Sequence, residues 1–223
     1  MIEWEIGNTM KPRHELKFYI ETSDIYALNA KLSTVATLDQ GGQYIINSLY
    51  FDNYQDKAVI DKLSGQSYRE KFRLRYYNQD TSFMRLEKKS KRNNMTYKES
   101  EKITLDQVND ILQNNFILPD KPLLQELYSK MRIQMLRPRT IVEYKRSAYA
   151  YKPGNVRITI DTDIRASDFV HKFLTGFTSI PATKYAIVEV KYDEFLPSVI
   201  YNMIQMDKRN QTEFSKYAIS RMI

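Results

Sequence analysis

The sequence predicts an α+β fold: a closed antiparallel β-barrel of about eight strands, basic inside, with helices packed outside and at one end. Three observations lead there. Period-two alternation of apolar and polar residues recurs in several of about eight strand-like segments. Their polar faces are dominated by Lys and Arg. The intervening segments carry helical spacing instead.

The strand segments follow in order. Residues 13–20 set Leu16, Phe18 and Ile20 against Arg13, Glu15, Lys17 and Tyr19, and residues 44–51 are mostly apolar. Residues 68–77 set Phe72, Leu74 and Tyr76 against Arg69, Lys71, Arg73 and Arg75. Residues 83–91 set Met84 and Leu86 against Arg85, Glu87, Lys89 and Lys91, and residues 96–102 carry Lys98 and Lys102. Residues 140–151 carry Tyr144 and Arg146. Residues 156–163 set Val156, Ile158 and Ile160 against Arg157, Thr159, Asp161 and Asp163. Residues 186–193 set Val188 and Val190 against Glu189, Lys191 and Asp193.

Helical spacing predicts a helix starting at Asp24, one over 104–115, one over 122–136 with Pro122 in its first turn, and two more over 194–206 and 215–223. Gly41-Gly42 and Lys152-Pro153-Gly154-Asn155 read as turns, the second closing a hairpin. The expected organisation is an N-terminal arm, 1–10, followed by one domain, 11–223.

Composition narrows the function classes. Lys and Arg number 34 against 27 Asp and Glu, a net charge of +7, which favours an anionic partner. With no Cys, disulfide frameworks and thiolate metal sites are excluded. His14 and His171 are too few for a zinc site built on histidine. No apolar run reaches the length of a membrane span, and the first residues lack the pattern of a signal peptide. A cytoplasmic protein is expected, recruited to a membrane only through a partner.

One strand with a charged face is ordinary, since antiparallel sheets commonly wet one side. A whole set whose charged faces are mainly basic is not, because a solvated face more often mixes signs. If those faces turn inward, the cations repel one another unless a ligand of high negative charge lies among them. A tri- or polyphosphate is such a ligand, gripped by Arg forks and Lys point charges. Carboxylates on the same faces would hold a divalent cation that bridges phosphate oxygens. A nucleic-acid interface is not expected, because the basic residues alternate within strands instead of forming an open stripe with exposed aromatics.

Eight short motifs then occur in order: Glu15-Leu16-Lys17-Phe18-Tyr19, Ser48-Leu49-Tyr50-Phe51-Asp52-Asn53, Arg73-Leu74-Arg75-Tyr76, Leu86-Glu87-Lys88-Lys89, Tyr144-Lys145-Arg146, Val156-Arg157-Ile158-Thr159-Ile160-Asp161, Val188-Glu189-Val190-Lys191 and Ser215-Lys216-Tyr217. Together they resemble the VTC domain, the polyphosphate polymerase domain of the vacuolar transporter chaperone family, within the wider triphosphate tunnel (CYTH-like) group. The resemblance covers nearly the whole chain.

It implies that Lys17, Arg73, Arg75, Lys89, Lys98, Arg146 and Arg157 line a tunnel and grip phosphates. It implies that Lys62, Tyr144, Ser215 and Lys216 contribute to substrate binding, with Lys216 closing one end. Glu189 would be the main ligand of Mn²⁺ or Mg²⁺, with Glu87 and Glu15 assisting. The implied activity is transfer of the γ-phosphoryl group of ATP to a growing polyphosphate chain. The alternatives are a tunnel-type hydrolase of tripolyphosphate or nucleoside triphosphates, and a non-catalytic polyphosphate-binding module.

One departure matters. The tunnel phosphatases carry Glu-x-Glu-x-Lys on the first strand, and here the same spacing reads Arg13-x-Glu15-x-Lys17. The loss of that carboxylate moves the match toward the polymerase branch. The family's eukaryotic proteins also carry an SPX domain and membrane helices. Neither pattern occurs in this sequence, so regulation or translocation by those parts is not expected of it.

Overall fold

The computed structural model describes residues 13–93, 95–115, 119–205 and 215–222. The expected arm, 1–10, lies outside them. The elements run β1 (His14–Ile20), α1 (Asp24–Ser33), β2 (Thr37–Asp52), α2 (Lys57–Leu63), β3 (Tyr68–Tyr77), β4 (Asp80–Arg92), β5 (Met95–Ile103), α3 (Leu105–Gln113), α4 (Pro122–Ile133), β6 (Arg137–Tyr151), β7 (Val156–Ser167), β8 (Ile180–Pro181), β9 (Ala186–Tyr192), α5 (Ser198–Ile204) and α6 (Lys216–Ser220).

The strands follow the path β1-β9-β7-β6-β2-β3-β4-β5, with β8 beside β7. This corrects the expected barrel: β1 ends the path on one side and β5 on the other, and the two are not paired, so the sheet is open. The expectation of closure rested on the count of about eight strands and on polar faces that read as mainly basic. In the folded chain, carboxylates on the same strand faces already pair with Lys17, Arg73, Arg146 and Arg157. That pairing removes the argument for closure.

The chain packs as two compact units. The first holds the described residues through Tyr44, then Lys145–Asp163 and 183–205. The second holds Ile45–Tyr144, Ile164–Ala182 and 215–222. In the first unit, Leu16, Phe18, Ile158, Ile160, Val188 and Val190 form the apolar side of β1, β7 and β9 and bury against Leu28 and Leu32 of α1 and Ile200 and Ile204 of α5. Lys152–Asn155 closes the β6–β7 hairpin as expected, and Gly154 stands at φ +70°. A Cβ there would meet the Phe195 carbonyl oxygen at 2.5 Å, so glycine is the residue this turn admits.

In the second unit, Leu49, Phe51, Phe72, Leu74, Met84 and Leu86 of β2–β4 pack on Val108 and Ile111 of α3 and on Leu124, Leu127 and Met131 of α4. Thr104 starts α3 with a reciprocal capping box: its hydroxyl accepts from the Gln107 amide (3.2 Å), and Gln107 Oε1 accepts from the Thr104 amide (3.0 Å).

Two local readings change. Gly41-Gly42 does not end a strand but lies within β2 at φ +101° and +66°. And α2, short and with Val59 as its buried residue, has too little apolar periodicity to stand out in the sequence. It is held instead by Asp52, whose carboxylate accepts from the amides of Ala58 (2.9 Å) and Val59 (3.3 Å).

Candidate functional site: a cationic strand face around Glu87

In the second unit, register fixes the polar face. Arg73 stands opposite Tyr50 on β2 and Glu87 on β4, Arg75 opposite Ser48 and Arg85, and Glu87 opposite Ser100 on β5. Residues directly opposite share a face and alternate residues repeat it. On β3 the charged residues of that face are Arg69, Lys71, Arg73 and Arg75. On β4 they are Arg85, Glu87, Lys89 and Lys91, and on β5 Lys98 and Lys102. Glu87 is the single carboxylate among them.

Glu87 is the hub. Arg73 Nε lies 2.5 Å from its Oε2, Lys98 Nζ 3.0 Å from its Oε1 and Arg75 Nη1 3.8 Å from its Oε2. Its side chain is 3 % exposed. Burial alone would push its carboxyl up. The charges of Arg73, Arg75 and Lys98 outweigh that and hold it well below the usual carboxylate range.

Tyrosines complete the wall. Arg73 Nη1 donates to Tyr50 Oη at 3.2 Å, and Arg75 Nη2 donates to Tyr144 Oη at 3.3 Å. Lys216 Nζ lies 4.7 Å from the centre of the Tyr144 ring. Tyr50 is buried, which raises its hydroxyl, but Arg73, Lys71 and Arg75 dominate and bring it down to about 8. Its ring stacks on Tyr217 at 5.1 Å, and Tyr217 Oη donates to Asp52 at 2.7 Å. Asp52 thus ties α6, which carries Lys216, to the cap of α2. Ser215 caps α6, its Oγ accepting from the Ala218 amide at 3.4 Å. Lys89 is exposed, opposite Lys71 and Lys98. Lys62 lies half-buried on α2.

The remaining predicted residues belong to the first unit, whose polar face is balanced in sign. Lys17 Nζ bonds Glu15 and lies 3.7 Å from Glu189, which Lys191 reaches at 2.9 Å. Arg157 pairs with Asp39 at 3.5 Å. Arg146 holds Asp161 with both arms of its fork, at 2.6 and 2.7 Å. Asp161 is not among the predicted site residues. It is fully buried and is the partner of Arg146. The signal was there, since the hairpin at Lys152–Asn155 brings β6 and β7 side by side.

The acids divide in their suitability for a divalent cation. Glu87 already faces three cations, so a metal there would add a fourth. Glu15 and Glu189 both turn to the Lys17 ammonium on a partly exposed face, and two carboxylates completed by water and phosphate oxygens suit Mg²⁺ or Mn²⁺. Among the described residues no group of three or more acids or histidines forms a ready-made metal cage. No described helix is long and apolar enough to cross a membrane.

Comparison with known proteins gives the setting. Among solved structures the chain is similar to a candidate adenylate cyclase from Bacillus halodurans, with 12% identity and a TM-score of 0.51 over 81% of this chain and 80% of that one. It is also similar to a candidate adenylate cyclase from Vibrio parahaemolyticus, with 14% identity and a TM-score of 0.43 over 85% and 80%. At such identities the first likeness concerns the fold alone, and the second is too distant in geometry to add to it. No curated protein matches the sequence. The family model of the VTC domain matches residues 12–223, nearly the whole sequence, and the chain belongs to the VTC domain family.

Proposed function

We propose that this domain transfers the γ-phosphoryl group of ATP to the end of a growing polyphosphate chain. The observation that carries the reading is the face of β3–β5, where many cations converge and one buried carboxylate offsets them. Such a surface is built for a ligand with closely spaced negative charges. Membership of the VTC domain family supports the choice of polyphosphate over other polyanions.

In this reading Arg73, Arg75 and Lys98 bind phosphate oxygens, with Glu87 holding the three cations in position when no anion is present. Tyr50 and Tyr144 orient the guanidinium groups. Lys216 adds a charge from α6. The terminal phosphate oxygen of the chain forms a bond to the γ-phosphorus in line. The bond from that phosphorus to the bridging oxygen breaks, and ADP leaves with the electron pair. Charge on the equatorial oxygens is stabilised by the Arg and Lys donors. The attacking group is already anionic, so no side-chain nucleophile is required. Within the first unit, Glu15 and Glu189 are the residues that would hold Mg²⁺ or Mn²⁺, an ion that offsets phosphate charge when bound.

Arg13 favours chain growth over plain hydrolysis. It occupies the place of a carboxylate in the tunnel phosphatases and pairs with Asp193 at 2.8 Å. The test is incubation with ATP and Mn²⁺ and separation of the products on a gel. A ladder of long chains is expected. Free phosphate alone would identify a hydrolase, and tight polyphosphate binding without turnover a binding module. Arg73→Ala should slow chain growth by about 100-fold or more while the circular dichroism spectrum is retained. Undiminished polymer yield would remove Arg73 from the site.

A further inference from the structure

The ladder between β2 and β3 runs from Ile46↔Tyr77 to Tyr50↔Arg73, and beyond that pair the strands part. A cleft of about 290 Å³ opens there, lined by the end of β2, the first turn of α2 and the start of β3. Lys71 belongs to both places. It lines the cleft, and its Nζ lies 5.8 Å from the centre of the Tyr50 ring, whose hydroxyl binds Arg73. Arg69 and Lys91, opposite each other across β3 and β4, line the same cleft.

The acids that line it are engaged elsewhere. Asp52 caps α2 and binds Tyr217, Asp61 is paired with Lys57, and Glu70 is paired with Lys130. Arg69 is held by the neutral carbonyl of Gln66 at 2.6 Å, a bond that leaves its charge standing. Alternate residues of a strand are about 6.6 Å apart, so Arg73, Lys71 and Arg69 form a row about 13 Å long. That row is longer than a single triphosphate group.

We infer that this cleft is a second phosphate subsite, taking the part of a polyphosphate chain that extends past the Arg73 site. The inference rests on the polyphosphate reading above and deepens it: the protein distinguishes long chains from short ones. Anion contacts made by Arg69 and Lys91 strengthen the binding of a long chain and leave a triphosphate seated at Arg73 unaffected.

The test measures binding of inorganic tripolyphosphate and of long-chain polyphosphate to the full chain at several salt concentrations. The wild type is compared with Lys91→Ala and with the Arg69→Ala/Lys91→Ala double variant. The wild type should bind the long chain with the steeper salt dependence. The slope of log affinity against log salt should fall by about one for each cation removed, for the long chain alone. Tripolyphosphate binding should stay unchanged, which also reports an intact fold. Equal loss for both probes, or no loss for the long chain, overturns the inference. If the wild type binds neither probe, the polyphosphate reading itself fails and the subsite fails with it.

Discussion

Tyr50 shows how a single side chain reports the field of its surroundings. Burial opposes ionisation of its phenol, yet Arg73, Lys71 and Arg75 bring the hydroxyl down to about 8 from the usual 10. Ionisation would place a negative charge beside Arg73. Tripolyphosphate binding is therefore expected to weaken as pH rises through about 8. A bound anion, in turn, should push the phenol back up by linkage. Tyr50→Phe should lose that step in a titration of affinity against pH, and a wild-type profile that is flat between pH 7 and 9 would contradict the assignment. Glu87 has the opposite sign of charge and a simpler role. Its carboxyl is held below the usual range, so its stabilising effect is present above that range and is lost as pH falls beneath it. Glu87→Gln leaves three cations without their counter-ion and should cost about 3 kcal/mol in urea unfolding. Saturating tripolyphosphate should recover part of that loss, because the ligand then supplies the missing charge. Much of this was readable beforehand. Arg73 and Arg75 announce themselves by alternation with Phe72, Leu74 and Tyr76. What could not be read was that Glu87 is the counter-ion of three cations, because that depends on Lys98 arriving from the next strand. Lys88 was also passed over. It shares the parity of Leu86, faces the apolar side and is held there by Glu126 at 2.7 Å.

Among the elements, α2 and α6 depend on one residue of β2. Asp52 accepts from two amides of α2 and from the hydroxyl of Tyr217 on α6. Burial and this bond together raise the Tyr217 hydroxyl far above its usual value, so it remains a donor at every ordinary pH. Asp52→Ala should therefore increase amide hydrogen exchange in both Lys57–Leu63 and Lys216–Ser220. Tyr217→Phe should increase it only in the second segment. Equal protection of both segments in Asp52→Ala would show that packing, not this carboxylate, holds them. The lost caps should together cost about 2 kcal/mol. Elements with strong periodicity, such as α3 with its Thr104–Gln107 box, were legible in the sequence to within two residues. Those fixed by a distant partner were not. Nothing local to residues 57–63 reveals that an acid five positions upstream completes their first turn.

Across the molecule, the order of the strands was the least legible property. Alternation gave the strands and the composition of their faces. It could not show whether β1 meets β5, because closure depends on twist and stagger accumulated over the whole sheet. Charge misled in the same direction. The sequence displays cations strand by strand, and their acidic partners, Asp39 for Arg157 and Asp161 for Arg146, sit on strands distant in the chain or across a hairpin. The sheet consequently has two borders among the described residues, β1 and β5. On β5, Lys98, Glu99, Glu101 and Lys102 stand within nine residues, so both faces of that border are charged. A second molecule laid along it would set lysine against lysine or glutamate against glutamate in many registers. Charges proposed to draw a polyanion to one face would thereby also discourage edge-to-edge growth of the sheet.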